Sequence, residues 1–136
     1  MSTLFPNALA LWLAQLFTAI FLAILFLQSG MDKVTDRAGN MGWLQGHFAK
    51  TPFKNMVGLM VTMITLLELA AGLLSAIGVG QLIVSHTSGI AFWGAVTSAL
   101  TLICLFFGQR MAKDYAGAAV LVPYFLLSMV ALMLLQ

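Results

Sequence analysis

The sequence predicts an all-α integral membrane protein, a transmembrane four-helix bundle that forms a single domain over residues 1–136. Three observations support this fold class. The chain is 62% apolar and 7% charged, whereas soluble domains have roughly 45–50% apolar and about 25% charged residues. The apolar residues fall into four runs, and each run approaches or reaches the length of about 20 helical residues that crosses a bilayer. Among the Asp, Glu, Lys, Arg and His residues, only Glu68 lies inside these runs.

The first span is predicted over residues 8–27. Asn7 is a suitable N-cap for its first turn, and Trp12 lies one turn inside, where tryptophan favours the membrane interface. The run carries no small-residue cleavage site, so we interpret it as a retained helix and not as a cleaved signal peptide.

The only long polar stretch covers residues 28–55 and holds six of the ten charged residues. Its first part, Ser29 to Arg37, mixes both charge signs at helical spacing and is expected to extend the first helix out of the membrane. Gly39-Asn40 is expected to break that helix. The segment from Met41 to Phe48 then has the composition of a helix that lies along the lipid head groups.

The second span is predicted over residues 56–77. Thr51 is its expected N-cap, with Pro52 at the first helical position. The glycine pair Gly78 and Gly80 is expected to end the helix.

The third and fourth spans are predicted over residues 90–107 and 116–135. Asp114 is the expected N-cap of the fourth. Pro123 inside that helix removes a hydrogen bond to the carbonyl of Ala119 and predicts a kink.

The basic residues predict the orientation. Four Lys and Arg residues lie between the first and second spans and two between the third and fourth, whereas the second loop and the tails have none. Because basic loops stay in the cytoplasm, we expect both termini on the non-cytoplasmic side. This topology accounts for the net positive charge without nucleic acid as a partner.

Small residues predict which helices touch, because close packing drives helix association in lipid. Pairs at four-residue spacing occur in both the second and third spans, which should therefore be close antiparallel neighbours. The pairs are Ala71/Ser75, Gly72/Ala76, Gly94/Ser98 and Ala95/Ala99.

Glu68 is the most informative residue, because a carboxylate in hydrocarbon costs about 3 kcal/mol on insertion scales. Counted from the charged face, Glu68 lies at nearly the same depth as four other polar residues of the spans. Our hypothesis is that Glu68 is hydrogen-bonded in the bundle core to these groups, namely Gln15, Thr97, Ser98 and Ser128.

Three segments resemble the DoxX-like family of membrane proteins. They are LFLQSGMDKV (residues 25–34), with a G-x-x-K pattern, TLLELAAGLLSAIGVG (65–80), with an E-x-x-x-G step, and the looser match AKDYAGAA (112–119). The resemblance implies a small four-helix protein of a prokaryotic cytoplasmic (inner) membrane. Some members of the family are subunits of quinone-linked sulfur oxidation. The residues here that match the family's marked positions are Gly30, Lys33, Glu68 and Gly72.

Two interpretations of Glu68 stay open. In the first, Glu68 is functional, as a proton relay or as a hydrogen-bond acceptor for a ligand. In the second, it is a neutral acid whose hydrogen bonds between helices stabilise the bundle by about 1 kcal/mol. We expect Lys33 to be an orientation anchor at the charged face. The alternative is a partner for Glu68 or for an anionic ligand head group, but a depth count places Glu68 roughly 20 Å deep, too far for direct pairing between unbroken helices. Cys104 is expected to be a buried packing residue. Tyr124, beside Pro123, is a candidate to line a cavity.

The sequence also limits the chemistry. One cysteine and two histidines, the latter on opposite sides of the membrane, give no dithiol and no bis-histidine haem site. We therefore expect no metal site and no covalently bound cofactor, with a quinone or a lipid as the candidate ligand.

Two functions remain. The first is a membrane subunit of a redox system, quinone-linked, with a polar site around Glu68. The alternative is a non-catalytic accessory subunit that stabilises a larger membrane complex. Under either hypothesis the expected partners are membrane lipids and either other membrane subunits or further copies of this chain.

Overall fold

The computed structural model describes residues 7–52 and 55–136, and these residues fold into five helices. Four of the helices are long and apolar enough to cross a membrane, and the remaining one, α2, is short and polar. The predicted fold class, an all-α transmembrane four-helix bundle, is confirmed. The helices are α1 (Ala8–Thr35), α2 (Arg37–His47), α3 (Val57–Ser85), α4 (Gly89–Met111) and α5 (Tyr115–Leu135).

Two predicted caps are present. The side chain of Asn7 accepts a hydrogen bond from the backbone N–H of Leu9 at 2.9 Å, which satisfies a free donor in the first turn of α1. Asp114 Oδ1 accepts one from Gly117 at 2.9 Å and caps α5 in the same way. Short polar side chains before apolar runs therefore set both helix starts.

α1 is longer than its predicted span and continues eight residues beyond Leu27 to Thr35. The extension of this helix was expected, but the break was placed wrongly. It occurs at Asp36, whose backbone is not helical, while Gly39 and Asn40 lie inside α2. The amide of Asn40 donates to the carbonyl of Asp36 at 2.9 Å and so bonds across the junction.

α3 also differs from prediction at both ends. Thr51 is not its N-cap, because Thr51 lies in a turn and α3 begins at Val57. Gly78 and Gly80 do not end it, because the helix continues to Ser85. A Cβ atom at Gly78 would lie 2.5 Å from the Cα of Ala91, so this glycine permits two helices to touch closely.

α3 lies between α1 and α4, and α5 packs on α4 and closes against α1. The predicted contact between α3 and α4 is confirmed, since a Cβ at Gly94 would lie 2.7 Å from Ser75 Oγ. Gly72, however, faces α1, where a Cβ would lie 2.8 Å from the backbone nitrogen of Leu27. The small residues of α3 therefore allow close contact with both α1 and α4.

The two ends of the bundle differ in chemistry. At the uncharged end, where α1 begins and α3 ends, Trp12 donates to the carbonyl of Leu82 at 2.8 Å and stacks on His86. At the charged end, His47 lies 2.9 Å from Gln109 and so joins α2 to α4. The two histidines therefore lie at opposite ends, as the sequence predicted.

Candidate functional site

An ion pair between a half-buried ammonium group and a fully buried carboxylate joins α1 to α3. Lys33 Nζ lies 2.8 Å from Glu68 Oε1, with side-chain exposures of 19% and 1%. The expectation that Lys33 would not reach Glu68 is wrong. Glu68 does face the protein interior, and it meets a cation there.

The helix register explains this correction. The depth count placed Leu27 at the charged face, level with residue 55, whereas Leu27 packs against Gly72 and Gly30 against Leu69 of α3. Lys33 is therefore level with about residue 66 of the antiparallel α3, which is about 3 Å from Glu68 along the axis. Because side chains lean toward the N-terminus of their own helix, these two lean toward each other.

Two glycines flank the ion pair and allow the helices to approach. Gly72 lies one turn beyond Glu68, and a Cβ there would meet Leu27 at 2.8 Å. Gly30 lies one turn before Lys33, and a Cβ there would come within 2.7 Å of the side chain and 3.3 Å of the backbone of Leu69. The structure thus gathers at one helix interface all four positions that match the family pattern, Gly30, Lys33, Glu68 and Gly72.

The hypothesis of a hydrogen-bonded layer around Glu68 is wrong. The hydroxyl groups proposed for it donate to carbonyls three or four residues earlier on their own helices, as Ser and Thr commonly do inside helices. These bonds run from Thr97 to Trp93 (2.9 Å), from Ser98 to Gly94 (2.7 Å) and from Ser128 to Phe125 (2.7 Å).

The other two candidates also lie away from the carboxylate. Gln15 donates to the carbonyl of Leu134 at 2.8 Å, near the uncharged end, and so links α1 to α5. The half-buried ring of Tyr124 packs against Phe21, with ring centroids 6.5 Å apart. Among the described residues, Glu68 Oε2 is a buried acceptor without a hydrogen-bond donor.

A cavity of about 200 Å³ lies at the charged end, beside the ion pair. α2 and the residue after it form one wall, with Asn40, Trp43, Leu44 and Phe48. α1 contributes Lys33, α3 contributes apolar residues, and α4 contributes its last turns. The cavity therefore combines an ammonium group and amide groups with a mostly apolar surface.

α2 covers this cavity through contacts near both its ends. At its start, Arg37 donates to the hydroxyl of Thr62 at 2.8 Å. At its end, His47 lies 2.9 Å from Gln109 Oε1, and Phe48 is buried to 5% exposure in a small cluster with α3. α2 itself has no buried residue, so it is a cover on the bundle and not a part of its core.

Cys104 lies on the α4 wall of the cavity, together with Gln109. The expectation of a buried packing thiol is wrong, because this side chain is exposed. The sequence placed Asn40 at a helix break and Trp43 and Leu44 in an interfacial segment, and none of the three was predicted to line a site. Their spacing of three and four residues was the available signal, since it places them on one face of a helix.

Comparison with family models, characterised proteins and solved structures finds no match to this chain. Membership of the DoxX-like family therefore stays a prediction that depends on the three short segments. In the part of the chain that the structure describes, no three His, Cys, Asp or Glu side chains come together in a metal-binding group.

Proposed function

We propose that this protein is a DoxX-like membrane subunit of a redox system, quinone-linked, and that Lys33 and Glu68 form its polar site. The observation that supports the proposal best is the buried ion pair between two close-packed helix faces. The resemblance to DoxX-like proteins is the reason for proposing a redox system, and the ion pair provides groups that can exchange protons with a ligand.

A buried ion pair is a costly way to hold helices together. The free-energy cost of removing two charges from water offsets much of the attraction between them. Proteins in which such a pair is replaced by apolar residues of similar volume are often as stable. Ionisable groups inside membrane proteins more often serve a ligand or a proton path. Lys33 and Glu68 are therefore better explained by function than by stability.

The pair is suited to exchanging protons with a bound quinone. Reduction of a quinone to a quinol takes up two electrons and two protons. The ammonium group of Lys33 has N–H donors beyond the one directed at Glu68, and Glu68 Oε2 has no donor among the described residues. With a single cysteine in the chain, we propose that a partner subunit carries the electrons.

We place the charged end of the bundle in the cytoplasm of a prokaryotic cell and both termini outside the inner membrane. The distribution of the six basic residues supports this orientation. Lys33 and the cavity under α2 would then open toward the cytoplasmic side.

Purification in a mild detergent, followed by mass spectrometry of bound chains and lipids, tests the proposal. We expect the wild-type protein to carry a redox partner subunit and a quinone. The Glu68→Gln variant should retain the partner and lose quinone-dependent turnover. A wild-type homo-oligomer without partner or quinone would refute the proposal.

The accessory-subunit alternative is favoured by a separate observation. Gln28 and Asp32 lie four residues apart on α1, and both side chains are exposed on the bundle surface. Polar groups on an outer helix face suit a protein neighbour better than lipid. If Asp32→Leu releases a co-purified partner while Glu68→Gln leaves the activity of the complex unchanged, the accessory function is the correct one.

A further inference from the structure

We propose that the cavity under α2 binds the head of a neutral amphiphile, a molecule of about one ring in size that carries carbonyl oxygens. This inference rests on the proposed function and deepens it, because it gives the place where the ring of the ligand binds and the groups that hold it. The residues that line the cavity are the basis for it.

The size of the cavity limits the ligand. Its volume is about 200 Å³, whereas sites for drug-sized molecules occupy roughly 300–1,000 Å³. One substituted ring fits this space, and a long chain attached to it does not. A hydrocarbon tail would have to lie outside, along the apolar surface of the bundle.

The residues that line the cavity favour a ligand with an apolar ring. Trp43 and Phe48 supply aromatic rings from the α2 side, and Val57 and Val61 supply aliphatic surface from α3. Flat apolar rings pack well against such surfaces. A strongly hydrated head group would lose its water here without enough polar partners to replace it.

The charges select a neutral ligand with acceptor oxygens. Lys33 offers N–H donors, but its positive charge is already balanced by Glu68 at 2.8 Å. An anionic ligand would leave this buried region with a net negative charge, and a cationic ligand would leave it net positive. A carbonyl oxygen accepts from the ammonium group without adding charge. Gln109 on the opposite wall already pairs its Oε1 with His47 at 2.9 Å, and its amide nitrogen lies beside Gly117, so Lys33 is the donor on which the proposal depends.

Cys104 gives a direct readout of occupancy. It is the one cysteine of the chain and lies in the wall of the cavity. Because the thiol is exposed, a ligand in the cavity should slow its alkylation without abolishing it. No substitution is needed to introduce the reporter.

The experiment measures the rate at which a polar maleimide alkylates Cys104 in the purified, full-length protein. The probe is duroquinone, a neutral ring with two carbonyls whose substituted positions leave no site for the thiol to add. Its matched control is durene, the same tetramethylated ring without carbonyls. We expect saturable protection by duroquinone, and durene, which keeps the apolar contacts but loses the hydrogen bond, should need at least about tenfold higher concentration.

Two variants test the contacts. Lys33→Gln should raise the duroquinone concentration for half-protection at least about tenfold, because a hydrogen bond to a charged donor is lost. Lys50→Gln, at an exposed lysine outside the cavity, should leave it unchanged. Leu44→Trp should fill the cavity and abolish protection without changing the ion pair. This variant tests the cavity even if Lys33→Gln fails to fold.

The possible outcomes separate this inference from the proposed function. Protection that follows the expected pattern supports it. Equal protection by durene, or none by duroquinone in the wild type, overturns it. A quinone and a redox partner that co-purify with the protein would still support the proposed function in that case, and would place the quinone elsewhere.

Discussion

Breaking the ion pair should destabilise the protein asymmetrically. Lys33→Met leaves the carboxylate of Glu68, at 1% exposure, without its cation, and removing one partner of a buried pair costs about 3–5 kcal/mol. Glu68→Gln leaves Lys33, which is 19% exposed and can turn its ammonium group toward the charged end along its flexible chain. We therefore expect the second change to cost less, about 1–2 kcal/mol.

The double variant Lys33→Met/Glu68→Gln completes the test. It leaves no unpaired charge and retains most of the side-chain volume, so its free energy of unfolding should fall within about 1 kcal/mol of the wild type. Reversible unfolding in mixed micelles of SDS and a mild detergent, followed by circular dichroism, measures all four proteins. The double-mutant cycle should give a coupling energy of at least about 2 kcal/mol. Additive single effects, or a larger cost for Glu68→Gln than for Lys33→Met, would refute this account.

Three further predictions follow from the helix contacts and the charge distribution. Gly72→Ala should destabilise the bundle by about 1–3 kcal/mol, because the new Cβ would meet the backbone of α1 at 2.8 Å. Its control is Gly80→Ala on the same helix, where the new Cβ meets nothing within 4 Å and the change should be neutral or stabilising. Equal effects of the two variants in the unfolding assay would contradict this prediction. Trp12→Phe removes the hydrogen bond to the carbonyl of Leu82 and should cost about 1 kcal/mol, so an unchanged unfolding midpoint would argue against a contribution from that bond. Alkaline phosphatase fused to the C-terminus should be active and a fused fluorescent protein dark, and the reverse pattern would place the termini in the cytoplasm.

Local sequence was sufficient to predict the elements of the fold. Four long apolar runs predicted four membrane-crossing helices, because hydrophobic length is a property of each segment alone. Asn7 and Asp114 were predicted as caps, because capping depends on a few adjacent residues. The close contact of α3 with α4 at Gly94 followed from residue size.

Relations between helices were harder to predict, because they depend on register. The depth of α1 relative to α3 depends on which of their residues pack together, and placing Leu27 at the charged face shifted the inferred depth of Lys33 and Gln15. Hydroxyl groups at one depth did not form a network, because each could bond to its own helix. The cavity depends on where α2 docks, and α2 has no buried residue that would have marked its position.

The register of α1 also has a consequence for how the protein sits in lipid. Through the contacts of α1 and α4 with α3, exposed Asp32 is level with about residue 67 of α3, and exposed Arg110 with about residue 59. The polar boundary on the α1 side is thus about 12 Å nearer the bundle centre than on the α4 side.

α1 and α4 lie diagonally across the closed bundle and contact each other, so their axes are separated by at most about 13 Å, the diagonal for helix spacings of 8–10 Å. A slope of about 12 Å over that distance corresponds to about 40°, at the upper end of the 0–40° range of tilt that membrane helices adopt. The bundle should therefore be tilted from the membrane normal, so that Asp32 on α1 and Arg110 on α4 reach the same membrane surface. Oriented bilayers studied by linear dichroism would report this angle directly.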